Sequence, residues 1–139
     1  MCPAGWDSVI AVEHRELIEE LRSAQSVLIV DDHPSFRRCA RALLTSEGFE
    51  VVGEAPDGTT ALEAATALNP ELILLDIQLP DIDGFEVARR MLAEDSKRQI
   101  VLVSSRDRSA YGPLIEKSGA RGFVSKGDLS RTTLERLLE

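Results

Sequence analysis

The sequence has few aromatic residues and few cysteines, and each shortage narrows what the protein can be. Its aromatic share is 4%, with one tryptophan and one tyrosine. Trp6 and Tyr111 therefore have no aromatic company for a base-stacking platform, and both are predicted to be packing residues. The two cysteines, Cys2 and Cys39, give no disulfide framework and favour a reducing compartment.

An excess of positive charge and long apolar runs are also absent. The chain has 16 basic and 24 acidic side chains and a net charge of -8. Such a charge repels a phosphate backbone, so no direct nucleic-acid binding by this chain is expected. No apolar run approaches the ~20 residues needed to cross a bilayer, and the N-terminus lacks the layout of a signal peptide. We predict a cytoplasmic protein with no membrane association.

The length of 139 residues suits one folded domain. Residues 1–25 are predicted to form a leader, helical over 7–23, and residues 26–139 the domain itself. Ile10, Leu17 and Leu21 recur at helical spacing in the leader and need a surface to cover them. A homodimer formed through the leader is one prediction.

The most informative stretch is LILLDIQLPDIDG, from Leu72 to Gly84. A short apolar run bounded by turn signals is typical of a strand covered on both faces, as in parallel sheets. The run ends in Asp76, at the carboxyl end of the strand, where open α/β sheets bind their ligands. Asp81 and Asp83 resemble part of a Ca²⁺ loop, but its closing glutamate is missing, so we interpret them as a loop and a helix start.

Apolar runs and helical patterns alternate along the domain. The predicted strands are 26–30, 51–52, 72–76, 100–103 and 122–125, and the predicted helices are 34–48, 59–68, 84–93, 110–117 and 128–139. This alternation requires right-handed crossovers. It predicts an α/β fold with a doubly wound, five-stranded parallel sheet and five helices, plus the N-terminal extra helix.

Polar residues follow four of the five predicted strands. They are Asp31 and Asp32, Asp76, Ser104, and Lys126. Since these strand ends share one rim, three carboxylates would raise each other's pKa unless a hard divalent ion, most naturally Mg²⁺, lies among them. Asp76 is predicted to take a phosphoryl group as an acyl phosphate, with Lys126 supplying charge and Ser104 a donor.

With these residues the chain resembles the receiver domain of bacterial two-component response regulators, especially the subfamily with helix-turn-helix outputs. The resemblance covers 26–139 and includes the runs LPDIDG (79–84) and GARGFVSK (119–126). It implies a flavodoxin-like strand order, 2-1-3-4-5, and transfer of a phosphoryl group from a sensor histidine kinase to Asp76. It also implies that Mg²⁺ is held by Asp76, by one or both of Asp31 and Asp32, and by the main-chain carbonyl of Gln78.

The resemblance implies a switch as well. Ser104 is expected to move toward the phosphoryl group while Phe123 turns inward, which alters the surface of the fourth helix, fifth strand and fifth helix. Gln78 and Ser105 are predicted to modulate the phosphate lifetime. The chain ends where such a regulator would begin its linker, so both a stand-alone receiver and a truncated transcriptional regulator stay open.

Two other functional classes share this sheet and remain alternatives. An Asp-nucleophile phosphatase needs a second acid two residues past the nucleophile, and Gln78 stands there. We therefore expect no enzyme activity beyond the domain's own phosphorylation and dephosphorylation. A phosphorylation-independent interaction module would be expected to have lost an acceptor or metal group, yet all of them are present.

Overall fold

Five strands alternate with five helices in the computed structural model, which describes residues 25–138. The strands are β1 (Ser26–Val30), β2 (Glu50–Ala55), β3 (Leu72–Asp76), β4 (Gln99–Ser104) and β5 (Gly122–Ser125). The helices are α1 (Pro34–Ser46), α2 (Gly58–Leu68), α3 (Gly84–Glu94), α4 (Leu114–Lys117) and α5 (Arg131–Leu138). The extra helix predicted at 7–23 lies outside the described residues.

The sheet is parallel throughout, in the order β2-β1-β3-β4-β5. Its central strand, β3, is buried along its whole length. One face packs on α2 and α3 through a cluster that includes Leu28, Leu75, Ala61 and Met91. The other face packs on α1 and α5 through a cluster that includes Ile29, Leu74, Leu44 and Leu134. The doubly wound fold predicted from the sequence is confirmed.

The strand register brings the predicted polar residues to one rim. Val30 pairs with Leu75, so Asp31 and Asp76 follow side by side on adjacent strands. Asp76 pairs with Val103, which places Ser104 one residue further along β4. Ser104 in turn pairs with Ser125, and Lys126 follows immediately.

The fourth helix differs most from its prediction. A continuous helix over 110–117 was expected, but a 3₁₀ turn at Arg108–Ala110 is followed by an α4 of only four residues. Gly112 has a left-handed φ of 54°, which an α-helix cannot contain, and Pro113 has no N–H for a helical hydrogen bond. The segment after β4 is therefore irregular.

Two smaller differences have local causes. β2 runs from Glu50 to Ala55 rather than over 51–52, because the sheet also pairs Gly53 and Glu54, which interrupt the apolar pattern. The last helix begins at Arg131 rather than at 128. The preceding Ser130 accepts a hydrogen bond from the Thr133 N–H at 3.2 Å, as a helix cap does.

A membrane-spanning helix is not found within residues 25–138. None of the helices described there has both the length and the apolar character that a bilayer requires.

Candidate functional site

Two buried carboxylates stand side by side at the carboxyl ends of β1 and β3. The side chain of Asp31 is 0% exposed and that of Asp76 is 4% exposed. The Gln78 N–H donates to Asp76 Oδ1 at 3.1 Å, which fixes the orientation of that carboxylate. Asp32 is 35% exposed, so the acidic cluster opens to solvent on its side.

The amine of Lys126 lies between the two buried carboxylates. Its Nζ is 2.6 Å from Asp31 Oδ2 and 3.6 Å from Asp76 Oδ2. The ring of Phe36, from α1, lies against the same amine, with its centroid 4.6 Å from Nζ. Lys126 is itself largely buried, so its charge acts on both acids with little screening by water.

Burial keeps Asp76 from ionising as easily as an exposed aspartate does. Desolvation, followed by the nearby Asp31 carboxylate, raises the pKa of Asp76 from 3.8 to about 6. The charge of Lys126 and the Gln78 N–H lower this pKa, but they do not outweigh burial. The cluster also brings three carboxylates together around the single ammonium of Lys126.

The acidic cluster can accommodate a divalent cation. Ligand atoms of Asp31, Asp32, His33 and Asp76 all lie within 4.8 Å of one another. Carboxylate oxygens are the ligands that Mg²⁺ prefers, and a divalent charge would balance the excess of carboxylates over the single lysine. The donor set thus fits the predicted Mg²⁺.

His33 belongs to this cluster, although sequence reasoning gave it no role. Its Nδ1 lies 3.1 Å from Asp31 Oδ1 and 3.1 Å from Asp32 Oδ1. The available signal was its place directly after the acidic pair. Because the ring is 64% exposed, it borders the mouth of the site.

Ser104 is buried at the end of β4 and is bound to a tyrosine. Its Oγ lies 2.6 Å from the Tyr111 hydroxyl and accepts a hydrogen bond from the Arg106 N–H at 3.0 Å. The Tyr111 ring centroid is 5.8 Å from that of Phe85 and 6.0 Å from that of Phe123. The expectation that Tyr111 has no aromatic company was wrong, because both neighbouring rings come from distant parts of the chain.

The loop after β3 is anchored to the start of α2. Asp81 accepts hydrogen bonds from the N–H groups of Gly58 and Thr59 at 2.7 and 2.9 Å, and these bonds hold the pKa of Asp81 well below its usual range. Asp83 accepts from the Phe85 N–H at 2.7 Å and so caps α3. As predicted, these two acids belong to a loop and a helix start.

Gly84 lies against the backbone that carries Asp76. A Cβ at this position would be 2.5 Å from the Asp76 carbonyl oxygen and 2.6 Å from the Ile77 Cα. We expect Gly84→Ala to lower the free energy of unfolding by about 1–3 kcal/mol, since rigid backbone must shift to admit the methyl group. Urea denaturation measures the change. Gly127→Ala is the control, because a Cβ there has no neighbour within 4 Å, and equal midpoints for the two variants would contradict the prediction.

The predicted site residues thus occupy different positions on the rim. Asp31, Asp32, Asp76 and Lys126 form the cluster itself, whereas Ser104 is held on the next strand by Tyr111. Gln78 and Ser105 are both exposed, two residues past Asp76 and one residue past Ser104 respectively. Phe123 is partly buried against the Tyr111 ring.

The sequence resembles known regulators over most of its length. Residues 27–138 match the model of the response regulator receiver domain family. The response regulator GacA of Pseudomonas aeruginosa is 34% identical over 102 residues, which are 73% of this chain and 48% of that protein. NarL of Mycobacterium tuberculosis is 39% identical over 109 residues, covering 78% of this chain and 50% of NarL. The chain spans about half the length of these relatives.

Solved structures agree in fold. The signal receiver domain of NarL from Mycobacterium tuberculosis superposes with a TM-score of 0.72 at 34% identity, covering 82% of this chain and 96% of that one. The BeF3-activated receiver domain of RstA from Klebsiella pneumoniae superposes with a TM-score of 0.71 at 32% identity, covering 81% and 95%.

Proposed function

Because the chain belongs to the response regulator receiver domain family, we propose that Asp76 accepts the phosphoryl group on which its two-component signalling depends. The donor is a sensor histidine kinase. The observation that best supports this assignment is the Lys126 amine, which lies within reach of two buried carboxylates where the parallel strands end. Signalling of this kind selects between two states of one fold.

The chemistry rests on a few side chains. An Asp76 oxygen attacks the phosphorus of phosphohistidine, the new O–P bond forms as the P–N bond breaks, and the imidazole departs. Lys126, 3.6 Å from that carboxylate, neutralises charge on the transferred oxygens. Ser104 donates to the phosphoryl group once it has moved, and Phe123 turns inward with it.

The acidic cluster would hold a divalent cation. We assign its ligands to Asp31, Asp32, Asp76 and the main-chain carbonyl of Gln78. Mg²⁺ bound there would supply positive charge that screens the phosphoryl oxygens. Gln78 and Ser105 border the approach of a hydrolytic water and set the phosphate lifetime, and the protein acts as an enzyme only on its own phosphoryl group.

The phosphorylated domain acts through partners in the cytoplasm. Its changed surface comprises α4, β5 and α5, which can dock a partner or a second copy. Since GacA and NarL are about twice the length that matches here, we propose that the domain controls a DNA-binding output and does not itself contact DNA. This division agrees with its net charge of -8.

Treatment with acetyl phosphate and Mg²⁺, followed by intact mass measurement, tests the proposal. We expect one added phosphoryl group per chain when Mg²⁺ is present. No adduct should form when EDTA replaces Mg²⁺. Borohydride reduces an acyl phosphate to an alcohol, so peptide mapping should then find homoserine at position 76. Continuous release of phosphate without an adduct would favour the phosphatase class, and no reaction at all would favour the interaction module.

A further inference from the structure

We infer that Tyr111 is a positioning residue that holds the Ser104 hydroxyl in the unphosphorylated state and releases it when Asp76 is phosphorylated. The inference rests on the proposed function. It extends that function by giving the serine a specific resting partner, on the irregular segment that precedes α4. The juxtaposition that carries it is the hydroxyl pair 2.6 Å apart at the end of β4.

The Ser104 oxygen has little freedom in this state. The residue is 1% exposed, and its Oγ binds both the Tyr111 hydroxyl and the Arg106 N–H. A serine hydroxyl has one proton and two lone pairs. If Ser104 donates to Tyr111, its only proton is in use; if it accepts, both lone pairs are filled. In the first arrangement the bond to Tyr111 breaks before Ser104 can donate to a phosphoryl group on Asp76, and in the second the two donors on its oxygen restrain the movement of the hydroxyl.

The position of Tyr111 lowers the free-energy cost of breaking its hydrogen bond with Ser104. Its ring is only partly buried, so water can take over the hydrogen bond of its hydroxyl. It follows the 3₁₀ turn Arg108–Ala110 and precedes Gly112 and a helix of four residues. A helix that short has almost no cooperative stability of its own. The segment can therefore change its conformation once the hydroxyl contact is lost.

The same tyrosine contacts the residue predicted to turn inward. Its ring meets Phe85 of α3 edge to face and lies tilted against Phe123 of β5. Displacement of Tyr111 removes one of the aromatic rings that Phe123 contacts, so the phenylalanine can change its position. Movement of the serine and movement of the phenylalanine are thus linked through a side chain that touches both.

The first test uses the fact that Tyr111 is the only tyrosine in the chain. Protein labelled with tyrosine carrying ¹³C at Cζ gives a single resonance, which is sensitive to the hydrogen bonding of the hydroxyl. We expect beryllofluoride with Mg²⁺ to shift it. Ser104→Ala should shift it in the same direction without any ligand. Ser109→Ala, which removes an exposed hydroxyl from the same segment, should leave it in place.

The second test removes only the tyrosine hydroxyl. Tyr111→Phe retains the ring and its contacts but not the hydrogen bond that favours the resting state. We expect beryllofluoride to bind about fivefold more tightly, because one such bond changes an equilibrium by roughly that factor. A titration followed by the backbone amide resonances measures the affinity. Unchanged or weaker binding would overturn the inference, since a purely structural tyrosine would not restrain the active state.

The two proposals fail in different ways. A wild-type protein that forms no adduct with acetyl phosphate refutes the assignment of Asp76. A Ser104→Ala resonance at the wild-type position refutes the resting contact, whether or not an adduct forms. An adduct or beryllofluoride complex that leaves the tyrosine resonance unmoved refutes the release.

Discussion

Asp76→Asn is expected to stabilise the unliganded domain by about 2–3 kcal/mol at pH 7 while abolishing the phosphoryl adduct. Burial and Asp31 raise the pKa of Asp76 from 3.8 to about 6, so the folded state holds this proton more tightly than the unfolded state. The stability that this provides is complete below about pH 4 and is lost as the pH rises through 6. Asparagine carries no charge to bury, but it cannot form an acyl phosphate.

Urea denaturation of both proteins between pH 4 and 7, without divalent cations, measures this effect. The gap in unfolding free energy should widen as the pH rises, and the comparison cancels the titration of carboxylates outside the acidic cluster. Asp107→Asn is the matched control, because that residue is exposed and lies outside the acidic cluster. If the Asp76→Asn protein is less stable than wild type at pH 7, the prediction is wrong, and the surrounding groups stabilise the ionised Asp76 carboxylate more than burial destabilises it.

Lys126→Met is expected to destabilise the domain by about 3 kcal/mol, because it leaves the fully buried Asp31 carboxylate without its ammonium partner. The same change should slow phosphorylation by acetyl phosphate about 100-fold, the usual cost of removing one preorganised charge from a transition state. Methionine has a similar length but no ammonium, so the contact of the charged amine with the Phe36 ring is lost as well. Denaturation and the time course of adduct formation measure the two effects separately.

Two further variants separate stability from chemistry. Lys126→Met combined with Asp31→Asn should regain much of the lost stability, since the unpaired charge is gone, but none of the lost rate. Lys117→Met removes an exposed lysine and should change neither quantity. Phosphorylation of the Lys126→Met protein at the wild-type rate would show that the amine has no part in the phosphoryl transfer.

The fold could be read from the sequence because its strands obey a simple pattern. β3 and β5 have the bounds predicted for them, since apolar runs in a parallel sheet stop where the chain reaches the rim. Because all five strands run in parallel, their carboxyl ends lie on one edge of the sheet. The proximity of Asp31, Asp76 and Lys126 follows from this rule without any knowledge of side-chain positions.

The features of the site that the sequence did not predict depend on contacts between residues, which a local sequence pattern does not indicate. The bond between Ser104 and Tyr111 joins β4 to a segment in which Gly112 and Pro113 interrupt the expected helix. Likewise, the raised pKa of Asp76 depends on burial and on its distance from Asp31, which the sequence does not express. His33 was overlooked because an imidazole after two acids has no fixed orientation until the helix start positions it.

The hydrogen bonds that join Asp81 to the first residues of α2 hold one side of the rim in place, and we call this side the braced half. The other half carries the irregular segment that precedes α4. A binding protein that docks on the braced half, beside α2, is expected to meet the same surface in both signalling states. A protein that reads the phosphorylation state of the domain is expected to contact the other half.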